Sequence, residues 1–286
     1  MRKTILLAVL LALAAFGASA EPYSDTYVIP IVGHVMGANG TMWMSDVTIR
    51  NFSNTPMTVQ AVLIESGDNT SNNIFPLVAN GIDGSITVGA NSTVMLRDIL
   101  NGYAMQNVTG ALLLGSDRPF AVTSRAYSSR SPLGQTVPAA SRFFENTFGT
   151  ADNNAVVYVP GVMNNASTRT NIGFVAGSEN GMNVEITFRN GTGGVAGTRS
   201  FFVPGGSFMH MQIPARSFVN SNVDIGTVEF RITDGSGTIV PYASLVDNNT
   251  GDATYLMGQF PDSTNTHFSI MPSLFRGLLQ QRSNIR

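Results

Sequence analysis

Two antiparallel β-sandwiches in tandem, of immunoglobulin-like type, form the all-β fold that this sequence predicts, and three observations predict it. Short β-branched or aromatic runs recur along the chain, bounded by clusters of Gly, Asn, Pro and Ser. No long helix-period segment interrupts them. The C-terminal half also repeats the N-terminal half with its apolar positions in step. Ser45-Asp46-Val47 matches Thr170-Asn171-Ile172, and Met57, Val59 and Leu63 fall on Met182, Val184 and Phe188. The offset is 125 residues from Asp46 to Asn171, 115 from Ser92 to Ser207 and 116 from Gly110 to Gly226. Drift confined to loops is what two copies of one fold show. About seven short strands per ~120 residues, with frequent turns, is the strand density of a sandwich.

Residues 1–20 read as an export signal. Arg2 and Lys3 give a positive start, residues 5–16 an apolar run, and Ala18-Ser19-Ala20 a small-x-small cleavage site. That run is shorter than the ~20 residues a spanning helix needs. The first sandwich is expected over 21–148, and the second, with a short C-terminal tail, over 149–286. Strands are expected at 27–32, 42–51, 57–64, 84–88, 92–97, 110–116 and 120–128. Their counterparts fall at 155–160, 170–176, 183–189, 198–203, 207–213, 226–233 and 238–247. Alternation is clearest in Val184-Glu185-Ile186-Thr187-Phe188-Arg189, which places Val184, Ile186 and Phe188 inward. Asn39-Gly40, Asn190-Gly191 and Asp234-Gly235 are hairpin turn signals. Only 98–103 and 273–281 read as helical, each for two turns at most. The join is expected at 141–154, with Phe143, Phe144 and Phe148 packing the copies together.

Composition narrows the class further. The chain has no cysteine, which removes a lipoprotein anchor, disulfides, zinc–thiolate sites and thiol nucleophiles together. Export without disulfides points to a bacterial envelope or extracellular protein that relies on real hydrophobic cores. Charged residues are 12% of the chain and the net charge is −2, so no basic stripe is present to neutralise nucleic-acid phosphates. No later segment is apolar enough to span a membrane as a helix. A transmembrane β-barrel fits poorly with strands that are apolar for several residues running. The expected location is periplasmic or extracellular, and the oligomeric state is not legible.

Several motifs together resemble an uncharacterised family of exported bacterial proteins built from two such sandwiches. They are Pro30 with His34, Gly37-Ala38-Asn39-Gly40-Thr41-x-Trp43-x-Ser45-Asp46, Thr123-Ser124-Arg125-x-Tyr127 and Gly134-Gln135-x-x-Pro138-Ala139. In the second copy they are Thr168-Arg169-Thr170-Asn171-Ile172-Gly173-Phe174 and Tyr242-Ala243-Ser244-x-Val246-Asp247-Asn248-x-Thr250-Gly251-Asp252. The resemblance spans nearly the whole chain after the export signal and departs at Met42 and Met44. It implies fold, export and duplication, and it carries over no catalytic residues.

Four sets of residues are candidates for chemistry. Asp247, Asn249 and Asp252 offer alternate oxygen ligands beside Gly251, as short calcium loops do, but Asx-turns that shape a hairpin are the favoured reading. The loop 65–69, beginning at Glu65, reads the same way. His34, Met36, Met42 and Met44 would gather on one face if 32–36 and 42–46 are arms of one hairpin, a soft-ligand set suited to copper(I). Met209-His210-Met211 is a weaker echo, and core packing is favoured for both. Trp43, Tyr127 and Tyr242 are candidate sugar-stacking aromatics, with core favoured for Trp43. Asp46 and Arg125 are charges in apolar runs and require partners; Arg50, Arg125 or Arg169 would serve Asp46. Hydrolytic spacings such as HExxH and G-x-S-x-G do not occur. The expectation is a non-catalytic binding, adhesion or scaffolding module whose partner is a protein or a glycan. A calcium-assisted carbohydrate-binding protein is the runner-up, and an envelope copper-binding protein ranks third.

Overall fold

The computed structural model describes residues 24–37, 40–67, 74–103, 107–140, 144–147 and 156–259. The export segment, Phe143, Phe148 and the helix expected at 273–281 lie outside these residues, and for Phe144 only the backbone is described. Among the described residues the fold is all-β and antiparallel in a sandwich-like arrangement, with one 3-10 turn at Ala215–Ser217. The helix expected at 98–103 is a series of turns, in which Ile99 and Leu100 are buried as a plug rather than along a helical face.

The first half contains β1 (Thr26–Met36), β2 (Met42–Asn51), β3 (Met57–Glu65), β4 (Ile74–Pro76), β5 (Val78–Ala79) and β6 (Ile82–Asp83). It continues with β7 (Ser85–Val88), β8 (Thr93–Leu96), β9 (Val108–Ser116), β10 (Phe120–Ser128) and β11 (Gln135–Val137). Its nine-stranded sheet runs β11-β10-β2-β1-β9-β3-β4, with β7 on β3 and β8 on β2. The second half contains β12 (Phe144–Thr147), β13 (Val157–Asn164), β14 (Thr168–Ser178), β15 (Met182–Asn190) and β16 (Val195–Val203). It ends with β17 (Ser207–Pro214), β18 (Val223–Asp247) and β19 (Ala253–Met257). The expected reversal at Asp234-Gly235 does not occur. A register shift opposite Asn183 and Val184 bends β18 instead, so one strand pairs first with β13 and β15, then with β12, β14 and β19.

The same ladders recur in the two halves. β3–β9, β3–β7, β1–β9, β2–β8, β2–β10 and β10–β11 correspond to β15–β18, β15–β16, β13–β18, β14–β17, β14–β18 and β18–β19. Register corresponds as well. Val62 faces Leu113 as Thr187 faces Glu229, and Val59 faces Ile86 as Val184 faces Phe201. β1 and β13 even share an irregularity, a register shift next to Pro30 in one and Pro160 in the other. Proline has no N–H for a ladder, so a bulge is where a strand tolerates it.

Each half has its own apolar core. Ile29, Val47, Val59, Leu63, Leu112 and Phe120 lie in the first; Ile172, Phe174, Val184, Phe188, Phe230 and Ile232 lie in the second. A third cluster joins the halves. It combines Val28, Val62, Ile64, Ile74, Ala111, Leu113 and Ala140 with Val175, Phe208 and Val240. β3 and β9 are therefore buried on both faces, which is why Ala61–Ile64 and Ala111–Leu114 read as unbroken apolar runs. Burying each larger side chain here contributes on the order of 1.5–3 kcal/mol. At the rim of this cluster His210 is fully buried, its Nδ1 2.6 Å from Ser66 Oγ and its Nε2 2.8 Å from Tyr242 Oη.

Candidate ligand cleft between the halves

Where β1 leaves β9 to pair with β2, the two halves part and leave a cleft of about 270 Å³. From the first half it is lined by Ile31, Val35, Trp43 and Gln135, and from the second by Arg169 and Arg216 among others. Val35 and Trp43 are direct cross-strand partners, so both side chains lie on one face of the β1–β2 hairpin. Trp43 continues the alternation of Val47 and Ile49, but at this end of the strand the inward face opens into the cleft. A Cβ on Gly37 would lie 2.5 Å from Trp43 Nε1. Glycine at 37 therefore lets the half-buried indole lie flat against the backbone. This answers the exposed-or-core question for Trp43: it is a cleft-wall residue, anchored along one side.

Gln135 enters from β11 and crosses to the other half, where its Nε2 donates to Ser244 Oγ at 3.3 Å. Only 7% of Gln135 is exposed, and its Oε1 is buried with no hydrogen-bond partner among the described residues. A buried amide oxygen left unpaired costs roughly 1–3 kcal/mol. The opposite wall supplies positive charge. Arg169, on β14, donates to Asn248 Oδ1 at 2.8 Å. Burial holds its guanidinium below the usual arginine range, and the like charge of Arg216 pushes the same way. Arg216 is exposed on the 3-10 turn that Ala215 anchors in the second core. The charged side chains among the described lining residues are these two arginines; with Gln135, the residues Asn164, Asn171, Gln212, Ser45, Ser244, Thr109 and Thr170 complete the polar wall.

The other expected site residues lie elsewhere. Tyr242 is wholly buried and offers no face to a sugar. It crosses β14 at Gly173, where any Cβ would lie 2.4 Å from the phenol, and stacks between His210 and Tyr255 at centroid distances of 6.0 and 5.4 Å. Tyr127 is half-buried beneath Arg125, whose guanidinium carbon sits 4.7 Å from the ring centroid, so one face is already taken. Asp46 faces Arg125 directly across the ladder, and Arg125 donates to Asp46 Oδ2 at 2.7 Å. Burial raises the Asp46 pKa, but the Asp98 backbone N–H and Arg125 outweigh it and hold the carboxyl below its ordinary value. Of the three partners expected for Asp46, Arg125 is the one used.

The Asp247–Asp252 loop is a hairpin turn between β18 and β19. Asp247 Oδ1 accepts from the backbone N–H groups of Asn249 at 2.7 Å and Thr250 at 2.8 Å, an Asx-turn. Those bonds, Thr250 first, hold the Asp247 carboxyl below its ordinary value. Asp252 Oδ1 accepts from Ser131 Oγ at 2.5 Å, tying the turn to the first half, and Asn249 is exposed. Both carboxylates thus serve the turn and its contact with the first half. In the Glu65 loop, Glu65 accepts from Tyr103 Oη at 2.7 Å; residues 68 and 69 lie outside the described residues.

No family model matches the chain, nor does any curated protein. Two solved structures show a distant likeness. One is a mutant VP2 protein of infectious bursal disease virus in T=1 particles, 10% identical over 92% of this chain and 86% of that one, at a TM-score of 0.24. The other is a structure of the Gx strain of infectious bursal disease virus, 12% identical over 82% and 70%, at 0.21. Likenesses at these TM-scores carry no argument about fold or function.

Proposed function

We propose that this chain is an exported, non-catalytic binding module that holds an acidic glycan end in the cleft between its halves. The observation that carries the reading is the unpaired, buried Oε1 of Gln135 in the cleft wall. A ligand hydroxyl would satisfy it. The remaining wall matches the other parts of a carboxylated sugar. The Trp43 indole and the Ile31 and Val35 side chains suit the apolar face of a pyranose, and the Arg169–Arg216 pair suits a carboxylate. The volume lies at the lower end of ligand pockets, about 300 Å³, which suits one terminal residue rather than a chain segment. Guanidinium, amide and hydroxyl groups line the wall, and these recognise a ligand without supplying a general acid or base.

Gln135→Leu separates binding from folding. Loss of the unpaired buried oxygen offsets loss of the long Nε2 bond to Ser244, so the melting temperature should change little, while calorimetric affinity for uronic-acid oligosaccharides should fall by about tenfold or more. Equal affinity in the variant and the parent would remove the cleft from the account. Binding of neutral oligosaccharides as tight as that of acidic ones would remove the arginines from it.

A further inference from the structure

We propose that His34, Met36, Met42 and Met44 form a second site, on the side of the β1–β2 hairpin away from Val35 and Trp43, that binds copper(I). The register gathers them: His34 lies directly opposite Met44, and Met36 directly opposite Met42. Alternate residues of paired strands share a face, with Cβ atoms of opposed residues about 4.5–5.5 Å apart. One imidazole and three thioethers therefore project from one small patch. Flexible methionine arms can close around a single ion there.

Core packing does not account for these methionines. Met36 is 52% exposed, Met42 and Met44 are half-buried, and none belongs to an apolar cluster. Met57, Met182, Met209 and Met211 are each at most 6% exposed and fill the cores, whereas Met95, exposed like Met36, stands without a histidine or a second methionine opposite it. The Met209-His210-Met211 echo separates on this test, because Met209 and Met211 are core and His210 is consumed between Ser66 and Tyr242.

His34 is also oriented as a metal-binding histidine is. Its Nδ1 lies 3.0 Å from both carboxylate oxygens of Asp98, which leaves Nε2 as the nitrogen for a ligand. Asp98 is fixed in turn. Its backbone N–H donates to Asp46 Oδ1 at 2.9 Å, and Asp46 is held by Arg125. Asp98 thus acts as a positioning residue whose carboxylate keeps the imidazole in one tautomer. Three thioethers are soft donors that favour a soft monovalent cation over calcium or magnesium, imidazole ligates copper as well, and the chain has no thiol to compete for it. Binding supplied copper(I) changes no oxidation state.

The test is an anaerobic titration of the full chain with copper(I) against a colorimetric copper(I) chelator, paired with methyl NMR under silver(I), a redox-inert surrogate. One equivalent should bind. Silver(I) should shift the ε-methyl signals of Met36, Met42 and Met44 while leaving Met57, Met211 and the isolated exposed Met95 in place. Met36→Leu with Met44→Leu should abolish competition with the chelator, and Asp98→Asn should weaken binding by about tenfold. Circular dichroism of each variant should match the parent, since these side chains lie outside the cores. Absence of stoichiometric binding, unchanged affinity in the double variant, or shifts centred on other methionines would overturn the proposal. Met44 also borders the cleft, so Met36→Leu alone separates the two sites: it should weaken copper(I) binding and leave glycan affinity unchanged.

Discussion

The two halves share their ladders but meet through different faces, and the residues at equivalent positions record which face is covered. On the first half the covered face belongs to β3 and β9, where Val62, Ile64, Ala111 and Leu113 pack against the second half. The matching positions of β15 and β18 are Thr187, Arg189, Thr227 and Glu229, with Arg189 donating to Glu229 at 2.6 Å. On the second half the covered face belongs to β14, β17 and β18, with Val175, His210, Val240 and Tyr242. Their counterparts on the first half are Arg50, Thr93, Ala121 and Thr123. Apolar and aromatic groups stand where one half covers the other, and at the same places on the uncovered faces stand polar or charged groups, apart from Ala121, with Thr187 buried within its own half. The contact is head-to-tail, a geometry that would propagate into filaments if the open faces matched the covered ones.

The largest expected effect breaks that contrast directly. Leu113→Asp should cost about 3 kcal/mol or more in urea denaturation, because it puts an unpaired carboxylate into the joining cluster. Thr227→Asp, at an open position of the equivalent face, should cost under about 1 kcal/mol. Equal costs would mean that the two faces are equally covered. The same logic fixes the register within each half: Val59→Asp and Val184→Asp should be severe, and Gln60→Ser and Glu185→Ser mild.

His210 gives the next effect, through pH. Burial depresses its pKa to about 3, against the hydrogen bond of the Pro30 carbonyl, which raises it. An unfolded histidine protonates near 6.5. Between about 6.5 and 3 the unfolded chain therefore binds one more proton than the folded chain. Stability is full above that window and falls by about 1.4 kcal/mol per unit as pH drops through it. His210→Gln should lose this slope over that window. Thr93→Ala, at the matching open position, should leave it intact.

A smaller effect separates the two central ladders. Arg125→Gln leaves the buried Asp46 carboxylate without its cation and should cost about 1–2 kcal/mol, moderated because Arg125 is 40% exposed. The folded Asp46 pKa lies below its unfolded value, so its contribution is present above that value and is lost as pH falls. The variant should move the acid limb to higher pH. Ser244→Ala, at the counterpart of Arg125, should show no such limb. The smallest effect concerns the β18–β19 turn. Asp247→Ala with Asp252→Ala should lower the melting temperature slightly, by the same amount with and without millimolar calcium.

Much of this was legible in the residues. β2 and β10 run over 42–51 and 120–128 as the periodicity predicts, and the offsets of 125, 115 and 116 reappear in the paired registers of β3, β7 and β9. β11 and β19 escaped notice because an edge strand of a few residues has too little alternation to rise above its turns. Tyr242 has the look of a sugar-stacking aromatic in the sequence, yet Gly173 within an apolar strand marks a place where another group crosses the backbone closely. The joining face also had a signal, the change from Val62 and Ile64 to Thr187 and Arg189 between copies whose inward residues agree. The cleft had none. Trp43, Gln135, Arg169 and Arg216 belong to separate elements, and only the docking of the halves brings them together.

Trp43 is the one tryptophan of the chain, and it stands in the cleft wall, so its fluorescence reports on the cleft alone. Titration with uronic-acid oligosaccharides at low salt should give a saturable change in Trp43 emission. High salt should weaken it, and Arg169→Gln with Arg216→Gln should abolish it without altering the fold. Emission that stays constant across the titration, or a saturable change that the double variant retains in full, would contradict the account.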